Sequence, residues 1–341
     1  MKLHQLSAFN LALVFANVAC LSFGLPADCM AQSRYAYAAD KPINAPTMFG
    51  EGIISTPLDE LNACFTPDGE TIYFCINAPS NRLGVILSSR FEKGKWRTPQ
   101  VVPFSGQYTD YDPFISPQGD KLFFISNRPL EGKPVEGKRP NFDIWVIEKM
   151  KTGWTAPTNL GAPVNDDADQ YYPSVAANGT LYFSTIKQGD KGGFDLYRAK
   201  LVEGKYAEPE KLSEAVNSQY AEIDACIAPD ESFIVFASYN RPEELGRGDL
   251  YISYQQDGEW TPAKNLGEKI NSNAREYCPI LSPDGKYFFF TSFRGFADKP
   301  LDKAVTHEQL VQHLRSPWNG TGNVYQVDVG VLHTPRSGSD E

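Results

Sequence analysis

Histidine is scarce in this chain. There are four among 341 residues, and beyond the first 31 only His307, His313 and His333. His307 and His313 stand six apart, which does not place them on one helix face, so a histidine-built metal or acid–base centre has little to work with. The six cysteines show no C-x-x-C spacing, which removes a zinc site. Two of them, Cys20 and Cys29, lie near the N-terminus, and Cys64, Cys75, Cys226 and Cys278 read as unpaired, buried small hydrophobes. The sequence has no G-x-S-x-G, no H-E-x-x-H, no phosphate-binding loop and no dinucleotide fingerprint. A fused serine peptidase is thereby excluded, and no cofactor or metal is expected. Positive charge is also short: 32 Lys and Arg against 42 Asp and Glu give a formal net charge of −10. A nucleic-acid backbone needs a basic stripe, so it is not expected as a partner, and an anionic membrane surface is disfavoured for the same reason. Beyond residue 24 no apolar run is long enough to span a bilayer.

What is present begins with Lys2 and an apolar stretch at 6–24, LSAFNLALVFANVACLSFG, interrupted by Ser7, Asn10 and Asn17. That pattern reads as a cleaved signal peptide over residues 1–31 rather than a membrane anchor, so the protein is expected in the periplasm or outside the cell. Residues 32–44 read as a linker, and 331–341 as a disordered tail.

Between them the chain repeats. ELNACFTPDG, DYDPFISPQG, QYYPSVAANG, EIDACIAPDE and EYCPILSPDG end at residues 69, 119, 179, 231 and 285, a spacing of 50 to 60 positions. Each ends in a turn signal, and an apolar run follows: TIYFCI, KLFFIS, TLYFST, SFIVFAS and KYFFFTS. Two such runs across a short Gly-containing turn make a β-hairpin. A third strand comes next, often opened by Asp (FDIWVIE, FDLYRAK, GDLYISY, NVYQVDV), and then a segment with an aromatic, a Pro and an apolar residue, as in WTPAKNLGEKI. Four strands per unit, repeated radially, predict an all-β, five-bladed propeller over residues 45–330. The fifth unit lacks its fourth segment. F-G-E-G-I at 49–53 matches L-G-E-K-I at 266–270, so the N-terminal strand is expected to close the ring and remove an open edge.

The motifs S-P-D-G (282–285), S-N-R-P (126–129) and the D-[IL]-[WY] triplets at 143–145, 195–197 and 249–251 carry a family likeness. The chain resembles the TolB-type, WD-like β-propeller repeat family of bacterial exported proteins over residues 45–330. The family's namesake carries a separate N-terminal α/β domain, which is not expected in the residues ahead of this propeller. The resemblance implies a propeller that binds a protein or an envelope polymer.

Candidate site residues come from the starts of the inner strands. Glu60, Asp110, Gln170, Glu222 and Glu276 share the first position, and Asn62, Asp112, Tyr172, Asp224 and Cys278 stand two residues on. Strict alternation would put both sets on one face, as a ring of acids at the channel mouth. Tyr111, Tyr171 and Tyr277 lie between them. Two insertions, 129–141 and 295–321, open on the same face, and in the second Thr306 and Gln309 form a capping box before Leu310, Val311 and Leu314. The helix there reads either as a plug for the channel or as a lid. The run Asn165, Asp166, Asp167, Asp169 reads as a solvated turn rather than a calcium loop. A monomeric, non-enzymatic binding module for a protein or carbohydrate is expected. The alternative is a glycosidase using the inner-strand carboxylates.

Overall fold

The computed structural model describes residues 35–130, 141–187, 190, 193–298 and 300–333. Residues 1–31, read above as a signal peptide, most of the insertion at 129–141 and the end of the tail lie outside the described residues. The architecture is a five-bladed β-propeller. Blade one is Glu60–Phe65, Thr71–Asn77, Gly84–Glu92 and Gln100–Val101. Blade two is Asp110–Ile115, Lys121–Ser126, Asp143–Glu148 and Thr158–Asn159. Blade three is Gln170–Val175, Leu181–Thr185, Asp195–Ala199 and Glu210–Lys211. Blade four is Ala221–Ile227, Phe233–Tyr239, Asp249–Gln256 and Lys264–Asn265. Blade five is Glu276–Leu281, Tyr287–Ser292, Asn323–Asp328 and, from the other end of the chain, Thr47–Met48. Every pairing within a blade is antiparallel.

The second strands carry the core because they are covered on both sides, by strands within the blade and by the neighbouring blades. That is why they read as unbroken apolar runs. Phe74, Phe124, Phe183, Phe236 and Phe288 to Phe290 are all fully buried. The turns joining first to second strands are tight. In blade one the Gly69 amide donates to the Thr66 carbonyl at 2.7 Å, and Gly69 sits at φ +68°, a left-handed position that glycine occupies at no steric cost.

Ring closure follows expectation with a two-residue displacement. Thr47 pairs with Gln326 and Met48 with Tyr325, and the Phe49 amide donates to the Val324 carbonyl at 2.8 Å. In blade four the corresponding strand is Lys264–Asn265, and the Leu266 amide donates to the Leu250 carbonyl at 3.0 Å. F-G-E-G-I and L-G-E-K-I are therefore matched as expected. They form the turns after the outer strands rather than the strands themselves, because Gly50 and Gly267 are left-handed, at φ +60° and +71°.

Both flanking segments belong to the domain further than their composition suggests. The linker reading of 32–44 is corrected from Tyr35 onward. Tyr37 is buried against Phe65, Tyr287 and Phe289, its carbonyl accepts from Gln326 Nε2 at 2.8 Å, and the Ile43 carbonyl accepts from the Asp328 amide at 2.9 Å. The tail reading of 331–341 is corrected for its first three residues. Val329–His333 forms a 3₁₀ turn, Leu332 is buried, and its carbonyl accepts from the Tyr254 hydroxyl at 3.2 Å. Cys64, Cys75, Cys226 and Cys278 are buried and unpaired. Among the described residues no helix is long and apolar enough to cross a membrane.

Removing residues 35–58 strips blade five of its outer strand and exposes the faces that Tyr37, Met48, Phe49 and Ile54 cover. At ~1.5–3 kcal/mol per large buried side chain, the melting temperature should fall by at least ~10 °C. Calorimetry of the truncated chain checks this, and unchanged melting would contradict the closure.

Candidate functional site

The first-position acids do not line the channel. Each inner strand carries a β-bulge just after the residue that follows its first-position residue, between Leu61 and Cys64 in blade one and at the matching places in the other four. The residue two beyond each first-position residue is left-handed: Asn62, Asp112, Tyr172, Asp224 and Cys278 have φ between 51° and 58°. The bulge breaks the alternation that would have put positions one and three on one face. Position one turns into the joint with the preceding blade, and position three turns to the axis.

In the joints the carboxylates are fully buried and hydrogen-bonded. Glu222 accepts from the Ser218 amide and hydroxyl at 3.0 and 2.6 Å, from Ser238 at 3.1 Å and from Arg241 at 2.8 Å. Glu276 repeats the pattern with Ser272, Ser292 and Arg294. Asp110 uses Ser105 at 2.7 Å and Arg128 at 2.8 Å. Each arginine also donates to, or lies against, a neighbouring carbonyl: Arg128 to Phe104, Arg241 to Val216 and Arg294 to Ile270. In blade three Gln170 replaces the acid and donates to Asp166, which itself pairs with Lys187 at 3.3 Å. The Asn-Asp run is thus a stitched turn. Asn165 bonds both polar groups of Ile144, and Asp169 accepts from the Phe142 amide. Asn217 and Asn271 do for Leu196 and Leu250 what Asn165 does for Ile144. An asparagine followed five residues later by an acid or Gln was visible in three repeats, but its partner lies in another strand.

At the axis the third-position side chains meet across blades. Asn62 donates to Asp112 at 2.5 Å, the Tyr172 amide donates to Asp112 at 2.9 Å, and the Tyr172 hydroxyl crosses the channel to the Pro279 carbonyl at 2.7 Å. The Cys278 thiol donates to Asn62 at 2.8 Å and approaches Asp224 at 3.7 Å. Tyr172 and Cys278 are side chains for which a left-handed backbone costs on the order of 1–3 kcal/mol, so the arrangement is over-determined by its surroundings. Burial, and then the charge of Asp224, hold the Asp112 carboxyl well above the usual range. Burial brings Asp224 to about 6 despite the nearby Arg275 charge. Glu60, buried without an arginine, rises to about 7.

The tyrosines form a layer above the joints. Tyr111, Phe142, Tyr171 and Phe194 contact in series, with centroids 6.2, 5.5 and 5.3 Å apart. Tyr111 donates to Asn77 at 2.6 Å, and Tyr277 lies under Arg275 at 4.1 Å. The insertion in blade five crosses to blade one, through Asn319 to the Pro57 carbonyl and Thr321 to the Leu58 carbonyl. Its helix, His307–Leu314, has the expected capping box but buries none of its residues. Leu310, Leu314 and Trp318 are exposed, so the helix does not plug the channel. The two ends of the insertion, at Gly295–Asp298 and Asn319–Gly320, border a cavity of about 450 Å³ lined also by Arg247, Asn273, Arg275 and Phe293. Arg275 donates to the Tyr239 hydroxyl from two nitrogens, at 3.0 and 2.7 Å, and among the described residues neither arginine is ion-paired to a carboxylate. Sequence reasoning missed this cavity. Arg247 and Arg275 belong to no repeated motif. No cluster of three metal-ligating side chains occurs among the described residues.

No family model and no curated protein matches the chain. Solved structures similar to it include TolB from Acinetobacter baumannii, 15% identical with a TM-score of 0.42, over 69% of this chain and 51% of that one. This chain therefore spans about half of that protein. The α-L-arabinofuranosidase from Lactobacillus brevis is 12% identical, with a TM-score of 0.48 over 81% and 92% of the two chains. A GH43 β-xylosidase/α-arabinofuranosidase from a compost metagenome is 12% identical, with a TM-score of 0.46 over 83% and 94%. At these identities and scores the likeness carries no activity across to this chain.

Replacing Arg241 by Met strands a fully buried Glu222, and such a loss costs about 3–5 kcal/mol, measurable by urea unfolding. Stability should also depend on pH in an uncommon direction. Glu60 and Asp224, both raised chiefly by burial, bind protons more tightly folded than unfolded. Their contribution is complete below pH ~4 and is lost as pH rises through 6 and 7, by roughly 3 kcal/mol for Glu60 alone. Unfolding free energies at pH 5 and 8 check the sign, and Glu60→Gln should flatten the slope between 6 and 8.

Proposed function

We propose that the chain is an exported, non-enzymatic binding propeller of the TolB-type repeat, which takes a protein or glycan ligand on the face where its inner strands begin. The observation that carries this reading is the use of the first-position carboxylates. Glu60, Asp110, Glu222 and Glu276 are fully buried and committed to the blade joints, so they offer no open pair for acid–base work on a substrate. The same face supplies what a binding site needs: the cavity lined by Arg247, Arg275, Asn273 and Asn319, and the exposed apolar side chains of the blade-five insertion. The opposite face has short turns and the packed N-terminal segment. One observation favours the glycosidase reading, namely that Asp112 and Asp224 are neighbouring carboxyls with raised pKa values, the kind of pair that can divide acid and base roles. Against it, both are closed in by Asn62, Tyr172 and Cys278.

A glycan array and an envelope-protein pull-down, followed by a hydrolysis assay on every glycan captured, separate the two. The binding reading expects capture by the wild type and by the turn-face variant Asp68→Asn/Asp230→Asn. Capture should fall at least about tenfold for Arg247→Gln/Asn273→Ala, with no turnover. Turnover that vanishes in Asp112→Asn or Asp224→Asn would replace this reading with the enzymatic one.

A further inference from the structure

The five blades give five copies of one local site, and four of them hold a cation. In blades two, four and five the arginine lies between a buried acid and a pair of aromatic rings. Arg128 is 2.8 Å from Asp110, with its guanidinium 5.0 Å from the Phe124 ring and 5.3 Å from Trp145. Arg241 is 2.8 Å from Glu222, over Phe236 at 5.8 Å and Tyr251 at 4.4 Å. Arg294 is 3.3 Å from Glu276, over Phe290 at 5.6 Å and Tyr325 at 5.5 Å. Blade three substitutes Lys187, 5.2 Å from the Tyr197 ring and paired with Asp166. In each case the cation follows the second strand by a few residues, as in S-N-R, S-Y-N-R, S-F-R and T-I-K.

Blade one keeps the acid and loses the cation. Its second strand runs F-C-I-N-A, so Ile76 stands where Ser126, Ser238 and Ser292 stand, and Ala78 stands at the arginine position. Phe74 is paired in register with Leu87 as Phe124 is with Trp145, so the aromatic-and-partner platform survives with a leucine on one side. Glu60 keeps its two bonds from the Thr56 amide and hydroxyl, the bonds that Ser272 gives Glu276, but has no third side-chain partner among the described residues. A cavity of about 300 Å³ occupies this place, lined by Glu60, Phe74, Ile76, Leu87, Leu58 and Pro99. Glu60 lies at its floor, and exposed Ile53 and Leu58 lie at its rim.

We propose that this cavity is a binding site for a guanidinium group supplied from outside the chain, which completes in blade one the acid–cation–platform unit that blades two, four and five complete internally. The chain displays the bound geometry three times over: the guanidinium pairs with the buried carboxylate, by a hydrogen bond in Arg128 and Arg241 and as a 3.3 Å ion pair in Arg294, and lies over the rings of the second and third strands. An unpaired carboxylate in an apolar pocket raises its proton affinity, and Glu60 has that property. Bound guanidinium favours the ionised form, so binding tightens as pH rises from 6 to 8. The site stands apart from the Arg247 cavity and does not depend on what that cavity binds.

The test uses the chain from residue 32 and two probes, N-methylguanidinium and a blocked Gly-Arg-Gly peptide, with the citrulline peptide as neutral control. Saturable binding is read by calorimetry and thermal shift at pH 6 and 8. Both charged probes should bind more tightly at pH 8, the citrulline peptide should not bind, and Glu60→Gln should weaken binding by at least about tenfold. A peptide affinity well above that of methylguanidinium assigns the natural source to an arginine of a partner protein. Equal affinities assign it to a small guanidinium compound. The variant Ile76→Ser/Ala78→Arg rebuilds the missing unit within the chain. It should melt higher than the wild type at pH 8 and should no longer bind either probe, which keeps the proposal testable even if Glu60→Gln does not fold. The proposal is overturned if neither probe binds saturably, or if binding survives in the rebuilt variant.

Discussion

The rest of the structure depends on a buried carboxylate at the joint between blades. At that point the chain leaves one outer strand, crosses the loop face and enters the next inner strand, with backbone donors that no sheet can satisfy. The acid at the first inner-strand position answers those donors. Glu222 and Glu276 each accept an amide and a hydroxyl from the preceding turn, and an arginine of their own blade balances the charge and reaches back to the preceding segment's carbonyl. Burying a charge pair of this kind is weak evidence of net stabilisation. Its effect here is geometric: it sets where each blade begins relative to the one before, and it turns the next two residues through the bulge toward the axis.

That geometry divides the chemistry of the loop face. Carboxylates that look like an open ring in the sequence are withdrawn into the joints, and the axis is left to a smaller, closed set in which Asp112 and Asp224 face each other among Asn62, Tyr172 and Cys278. The functionality left at the surface is cationic, amide and apolar: Arg247, the half-buried Arg275, Asn273 and the insertion's Leu314 and Trp318. A chain of net charge −10 thus sets two arginines at its most elaborated cavity, Arg275 with the charge of Asp224 nearby and neither in an ion pair among the described residues.

The blade count and order were legible in the sequence because the turn signals and the apolar second strands are both local patterns that recur. Ring closure was legible too, since one unit lacked a fourth strand and a spare copy lay upstream. The displaced register at Thr47–Met48 was not, because two-residue strands carry no periodicity of their own. Site geometry was lost at the bulge. Alternation places Glu60 and Asn62 together, and only the left-handed residue separates them. Asn, Asp and Asp at that position are permissive of such a conformation, but Tyr172 and Cys278 give no such hint. The acid–arginine coupling was present in three repeats, 18 or 19 residues apart, yet only the paired strands bring it together.

Native-state hydrogen exchange of the Thr56, Ser218 and Ser272 amides tests the central role of the joint most directly, because each donates to a first-position carboxylate from within an irregular loop. If the buried acids hold the blades in place, these loop amides open only with the whole domain, and their protection equals that of second-strand amides such as Phe236. Exchange as fast as that of an ordinary surface loop would contradict the account.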